Sequence, residues 1–181
     1  ACAAGFAAHG APVLAKRAGE IAAAMDFHAL YDEKRRLFRI GLLPGASAPA
    51  QSWYDLLESE ERLTAYFTIA SGQIEHRHWR QLSRAQVGCR GRRGMVSWSG
   101  SLFEYLMPEL FLPLYRGSHL WESARFAVYV QRRRTFGAKK LWGISESAFY
   151  AFDATDHYRY KAHGCAPLAL CRGGNGENVV S

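Results

Sequence analysis

A chain of 181 residues with 49% hydrophobic and 13% aromatic side chains can bury a core and is too apolar to be disordered. No apolar run reaches the ~20 residues of a membrane helix, since the most apolar stretch, residues 103–115, carries Glu104 and Glu109. The net charge of +7 gathers in Lys34-Arg35-Arg36, Arg90 with Arg92 and Arg93, and Arg132-Arg133-Arg134, with no nucleic-acid recognition motif beside them. These clusters read either as a solvated basic face or as an attraction for an acidic membrane surface or partner. Cys2, Cys89, Cys165 and Cys171 lack C-x-x-C or metal-ligand spacing, which points to reduced thiols in the cytosol. The seven His are scattered, and His76 with His78 is too little for a metal site, so no metal or cofactor is expected.

Residues 1–14 lack an initiating Met and a signal-peptide pattern and read as a linker or cut flank. From Pro12 to Phe27, Leu14, Ala18, Ile21, Ala22 and Met25 recur at helical spacing, with Lys16, Arg17 and Glu20 turned away. Residues 37–42 alternate as a strand entered through an Asp32-Glu33-Lys34 turn, and the Pro/Ala/Gly-rich residues 43–50 form a loop. Ser52 is placed to cap a second helix running from Trp53 to about Ala70. With Leu56 as origin at about 100° per residue, Glu60 falls at about +40°, inside the apolar stripe, while Glu58 and Glu61 fall at about 200° and 140°. Glu60 is therefore expected to face the interior or a cleft, or to snorkel from the edge of the stripe. Glu58 and Glu61 are expected to be solvated.

Residues 73–94 read as a long polar loop with a short helical turn. The stretch Ser97-Trp98-Ser99-Gly100-Ser101 then sets small donors beside an aromatic face, with Glu104 opening an apolar segment. Such a group can seat a hydroxylated ring; equally, Ser101 and Glu104 have capping-box spacing for a helix N-terminus. A further helix is predicted from Ser118 to about Thr135, with Arg132, Arg133 and Arg134 at its negative end and Gly137 as its stop. In residues 141–150 Glu146 stands among two serines, a glycine and large apolar or aromatic side chains, with Lys139 and Lys140 just before. A carboxylate so enclosed must be paired, hydrogen-bonded or partly protonated. Residues 149–160 mix aromatics with Asp153 and Asp156, and residues 172–176 form a Gly-rich tail.

Three acidic stretches thus follow in order: residues 54–63 around Glu60, residues 97–108 around Glu104, and residues 142–149 around Glu146. Together with Met25-Asp26-Phe27, Leu30-Tyr31-Asp32 and Leu37-Phe38-Arg39-Ile40-Gly41, this set resembles the glycoamylase-like domain inside bacterial cyclic β-1,2-glucan synthases, from about Ala15 to the C-terminus. The resemblance implies a mainly α fold, part of an (α/α)6 toroid with a few short strands. Three clear helices and five or six in all fall short of a full toroid, so residues 15–181 are expected to be a partial domain.

It also implies transglycosylation that closes linear β-1,2-glucan into a ring, with Glu60 as acid/base and Glu146 as nucleophile. An apolar setting would keep Glu60 protonated near neutrality, and Lys139 or Lys140 would help keep Glu146 ionised. Glu104 matches a position expected to hold substrate, with Ser145 and Asp55 beside the motifs. Trp98, Tyr105 and Trp142 are the candidates for stacking on glucose rings. The implied partners are β-1,2-linked glucan and the rest of a larger membrane-associated synthase, without nucleic acid. The implied place is the cytoplasmic side of the bacterial inner membrane, the segment itself being soluble. The alternatives are a β-glucan hydrolase using the same carboxylates, a non-catalytic glucan-binding module, or a basic scaffold on anionic membrane.

Overall fold

The computed structural model describes residues 2–42, 45, 50–136, 141–148, 152–161 and 164–170. Lys139, Lys140, the Gly137 stop, most of the 43–50 loop and the 172–176 tail lie outside these residues. The described residues are mainly helical: α1 Cys2–Ala8, α2 Pro12–Ala24, α3 Glu61–Ala70, α4 Arg77–Gln81, α5 Leu102–Leu106 and α6 His119–Phe136. Three antiparallel two-stranded ladders accompany them, β1 Tyr31–Asp32 with β2 Leu37–Phe38, β3 Gln86–Cys89 with β4 Arg92–Met95, and β5 Ser147–Ala148 with β6 Tyr160–Lys161. Among the described residues no helix is long and apolar enough to cross a membrane.

Local signals hold where the backbone satisfies itself locally. Pro at the first helical position opens α2, and the Ser118 hydroxyl accepts the Trp121 N–H at the start of α6. The apolar residues of α2 do not reach the core: none of its residues is buried, and it packs against α1. Two apolar clusters form the interior. One sets Tyr105, Cys165 and Leu168 against Phe126, Ala127 and Val130 of α6; the other gathers Leu57, Ala65, Leu82 and Met95.

Two predicted segments differ. The second helix begins at Glu61, eight residues after Trp53, because the backbone of 53–57 is paired elsewhere. The Tyr54 N–H donates to the Phe38 carbonyl, Trp53 bridges Arg39, and Asp55 and Leu57 exchange hydrogen bonds with Ser83. Those long-range bonds replace the i→i−4 ladder a helix would need, and Ser52 caps no helix among the described residues. The loop of 73–94 contains α4 and the β3–β4 hairpin. Arg90 and Gly91 turn that hairpin with φ of +48° and +77°, the left-handed pair a two-residue hairpin turn requires.

With the helix shortened, the wheel no longer applies, and Glu58 and Glu61 are buried, at 1% and 2% exposure, where solvated charges were expected. Glu61 meets His78 at 2.8 Å, and the other His78 ring nitrogen lies 2.8 Å from the Arg36 carbonyl oxygen. Glu58 Oε2 lies 3.5 Å from Arg62 Nη1, while Arg62 Nη2 donates to Glu109 at 2.9 Å and to the Tyr105 carbonyl at 3.3 Å. Among the described residues, Glu58 Oε1 and Arg62 Nε find no partner. One guanidinium between two carboxylates is neutral only if one carboxyl holds a proton. Burial makes Glu58 that group, pushing it up to about 8 against the pull of Arg62.

The sign of the pH effect follows. The folded-state value lies above the ordinary 4.5, so between those two values the folded chain keeps a proton that the unfolded chain releases. The stability owed to Glu58 is complete below the lower value and is lost as pH rises through the upper one. Denaturant unfolding from pH 5 to 9 should show a decline that Glu58→Gln flattens, leaving part of the slope to Glu61, which burial also raises. Glu109→Gln should instead destabilise throughout, because it strips Arg62 of its closer partner. An unaltered slope in Glu58→Gln would reject Glu58 as the proton carrier.

Candidate active site

The site is built on the Ser97–Ser101 loop and the N-terminus of α5. The predicted capping box is present: the Ser101 hydroxyl accepts the Glu104 N–H at 3.3 Å, and the Glu104 carboxylate accepts the Ser101 N–H at 3.1 Å. The same carboxylate does more, accepting the Trp98 N–H at 2.9 Å, the Ser99 N–H, and the hydroxyls of Ser97 at 3.0 Å, Ser99 and Ser101. Glu104 is 8% exposed and is the post around which the Ser-Trp-Ser-Gly-Ser loop is wrapped. The expectation that it holds substrate is corrected to that extent, since its lone pairs are already engaged within the chain.

Segment 164–170 straps this loop from outside. Ser97 exchanges backbone bonds with Leu168 and Leu170, and the Cys165 N–H donates to the Gly100 carbonyl at 2.9 Å. The approach is close enough to require glycine on both sides. A Cβ on Gly164 would lie 2.1 Å from Ser101 N, and one on Gly100, at φ +73°, would lie 2.4 Å from the Cys165 carbonyl oxygen.

Residues 143–146 dock against α5. Gln131 Nε2 of α6 donates to the Ile144 carbonyl at 2.7 Å and Gln131 Oε1 accepts the Gly143 N–H. The Leu102 N–H donates to the Ile144 carbonyl, and the Phe103 N–H donates to Ser145 Oγ at 2.9 Å. Ser145 is therefore buried and spends its hydroxyl oxygen on an orphan donor of the α5 first turn. This corrects the expectation that it binds substrate.

The docking delivers Glu146 to the α5 N-terminus. Glu146 Oε1 accepts from Ser101 Oγ at 3.0 Å, and Oε2 accepts from the Tyr160 hydroxyl of β6. Ser101 has one proton and stands between Glu104 and Glu146, so it serves one of them at a time. Glu60 arrives from a different element, at the N-cap of α3, half-buried, with Oε1 accepting from the Tyr54 hydroxyl at 2.7 Å. Its partner is thus a hydroxyl, where apolar enclosure was expected.

Glu60 and Glu146 act on the same two phenols. Burial first, then the bond to Glu146 and the charges of Glu146 and Glu60, push Tyr160 up to about 12. Burial, the bond to Glu60 and the charges of Glu60, Glu61 and Glu146 push Tyr54 up as well. Each predicted carboxylate thus carries a tyrosine hydroxyl, and each tyrosine feels the charge of both. The roles of Tyr54 and Tyr160 were missed in the sequence, because each meets its glutamate through a loop path that no regular helix or strand sets.

The remaining predicted site residues divide. Asp55 is next to Tyr54, with Oδ1 buried and unpartnered among the described residues; burial raises it, and the Trp98 side chain pulls the other way. Trp98 is 38% exposed and keeps a face for a ligand. Tyr105 does not: it is wholly buried in the core, its hydroxyl donating to the Met95 carbonyl at 2.7 Å, so the stacking role expected of it is corrected. Trp142 lines a groove on the α6 side, 5.9 Å from the Arg132 guanidinium; among the described residues that groove has no acidic lining. Among the described residues no three His, Cys, Asp or Glu side chains converge to hold a metal ion.

No family model matches the chain. Over 168 residues, 93% of its length, it is 42% identical to cyclic β-(1,2)-glucan synthase NdvB of Rhizobium meliloti (strain 1021). It spans 6% of the length of that relative. Identity at that level over nearly the whole chain makes it a relative of a segment of that synthase.

Proposed function

We propose, on that relation, that this chain belongs to the carbohydrate-active part of a cyclic β-1,2-glucan synthase and carries out transglycosylation with retention. The observation that supports this best is the pairing of Glu146 with two hydroxyl donors while Glu60, from another element, is held within the same electrostatic cluster by Tyr54. Two carboxyl groups from separate elements, each oriented by a hydroxyl, are the pair that acid/base-assisted glycosyl transfer uses. Residues 15–181 would then be a partial glycoamylase-like domain and its helices part of an (α/α)6 toroid. It would work within a longer membrane-associated chain on the cytoplasmic side of the inner membrane.

In the first step a Glu146 oxygen forms a bond to the anomeric carbon as the glycosidic C–O bond breaks. Glu60, as the acid, gives a proton to the departing sugar oxygen. In the second step Glu60 takes the proton from a 2-hydroxyl, whose oxygen bonds to the anomeric carbon as Glu146 leaves. When that hydroxyl belongs to the far end of the same glucan, the product is a ring. Ser101 and Tyr160 hold the Glu146 carboxylate in place, and Trp98 with Asp55 offers an apolar face beside an acceptor for a glucose ring.

The test is incubation with linear β-1,2-glucan followed by chromatographic sizing, beside Glu60→Ala and Glu146→Ala. Redistributed or cyclised chains, absent with both variants, are the expected result. Short reducing sugars in their place would make the protein a hydrolase. Glucan binding without turnover, indifferent to both substitutions, would make it a binding module.

A further inference from the structure

The ladder of β5 with β6 carries more than the Tyr160 hydroxyl. Between its strands lies an arm whose tip is closed by its own polar groups. Asp153 Oδ1 accepts the Thr155 N–H and the Thr155 hydroxyl at 2.8 Å each and the His157 N–H at 2.9 Å. The Asp153 N–H donates to the His157 carbonyl at 3.1 Å. Asp156 turns the tip at φ +58° and returns its N–H to the Asp153 carbonyl. A turn satisfied in this way holds its shape without a packing partner.

The chain enters the turn at Phe152 and leaves it at Tyr158, each one residue outside the closing pair. Phe152 is 63% exposed, Tyr158 67% and Tyr160 52%. A single exposed ring is ordinary, but three on one short, self-bonded arm form an apolar surface that the turn does not need for its own stability. The arm is joined to the candidate active site. Tyr160 pairs with Ala148, two residues from Glu146, and its hydroxyl donates to the Glu146 carboxylate. Tyr158 is close enough for its phenol to add to the upward push on Tyr160.

We propose that Phe152 and Tyr158 are the stacking platforms of a glucan-binding subsite beside Glu146, which receives the units of a β-1,2-glucan chain next to the reacting one. The inference rests on the glycosyl-transfer reading of Glu146 and adds to it where the neighbouring units are held. A pyranose ring sets a face of weakly positive C–H groups against the negative face of an aromatic ring and keeps its hydroxyls at the edge, in water. Rings exposed on a rigid arm offer that contact without first being uncovered.

The test measures binding of a linear β-1,2-gluco-oligosaccharide to the 181-residue chain by calorimetry, with saturation-transfer NMR from aromatic protons to the sugar. Phe152→Ala and Tyr158→Ala should each weaken binding about three- to tenfold. Tyr158→Phe should keep it within about twofold, because the ring and not the hydroxyl is the platform. Phe6→Ala, an exposed ring of α1, should leave it unchanged. In turnover the two alanine variants should raise KM and keep kcat, the reverse of what losing the Tyr160 hydroxyl should do. Unfolding curves should not move, since neither ring is buried.

Sugar binding by the wild-type chain that neither alanine variant weakens would overturn the subsite and leave the glycosyl-transfer reading in place. A wild-type chain that neither binds nor redistributes linear β-1,2-glucan would overturn that reading, and the subsite with it. Binding to phosphatidylglycerol vesicles that both alanine variants lose, in place of sugar binding, would overturn the subsite in favour of a membrane surface.

Discussion

Glu146→Gln should lower the rate of β-1,2-glucan redistribution on the order of 10⁴-fold, about 5 kcal/mol of transition-state stabilisation. The amide keeps the volume of the carboxylate and one of its acceptor oxygens, so either Ser101 or Tyr160 still finds a partner. It cannot attack the anomeric carbon, and its nitrogen cannot accept the second hydroxyl. The two donors should show a smaller effect of the same kind. Tyr160→Phe and Ser101→Ala each remove one hydrogen bond to a charged oxygen, worth about 1.5–3 kcal/mol, or roughly 10–100-fold. The loss should fall mainly on kcat, because the hydroxyls position the nucleophile and do not grip the sugar. Ser101→Ala should also lower the melting temperature, since Ser101 caps α5, whereas Tyr160, about half exposed, should leave it nearly unchanged. Wild-type turnover in Glu146→Gln would remove Glu146 from the chemistry.

The second large effect is on folding. Arg62→Met should cost about 3–5 kcal/mol, the range for breaking a buried charge pair from one side. For a chain of this length that is roughly 6–20 °C in melting temperature. Arg62 is 1% exposed and connects Glu58, Glu109 and the Tyr105 carbonyl, so it ties α3 to the turn after α5. Methionine fills much of the volume but leaves the half-buried Glu109 without its cation and the carbonyl without a donor. Because Glu58 is the carboxyl that keeps a proton, adding Glu58→Gln to Arg62→Met should recover little, and Glu109→Gln should recover more. Urea unfolding of the two double variants measures the difference. A loss below about 1 kcal/mol in Arg62→Met would mean that the network is neutral on balance.

What was legible in the sequence about this protein is what a few neighbouring residues decide among themselves. Ser101 and Glu104 stand three apart, and that spacing alone makes a capping box. Ser118 and the arginines after Val130 mark the two ends of α6 in the same way. The three acidic stretches were legible as a set, and with them the relation to a glucan synthase.

Tertiary structure decided which carboxylate does what. Glu58, Glu60 and Glu61 are near-neighbours, and a helical wheel assigns them only if the helix runs through all three. It does not, because the backbone of 53–57 finds better partners at Phe38 and Ser83, so Glu60 stays near the surface and its neighbours turn inward to Arg62 and His78. The same holds for the post role of Glu104, the burial of Tyr105 and Ser145, and the pairing of Tyr160 with Glu146. Each depends on a hydrogen bond or packing contact between residues brought close by the fold of the whole chain. Local propensity is blind to such contacts, and burial makes them strong enough to override it.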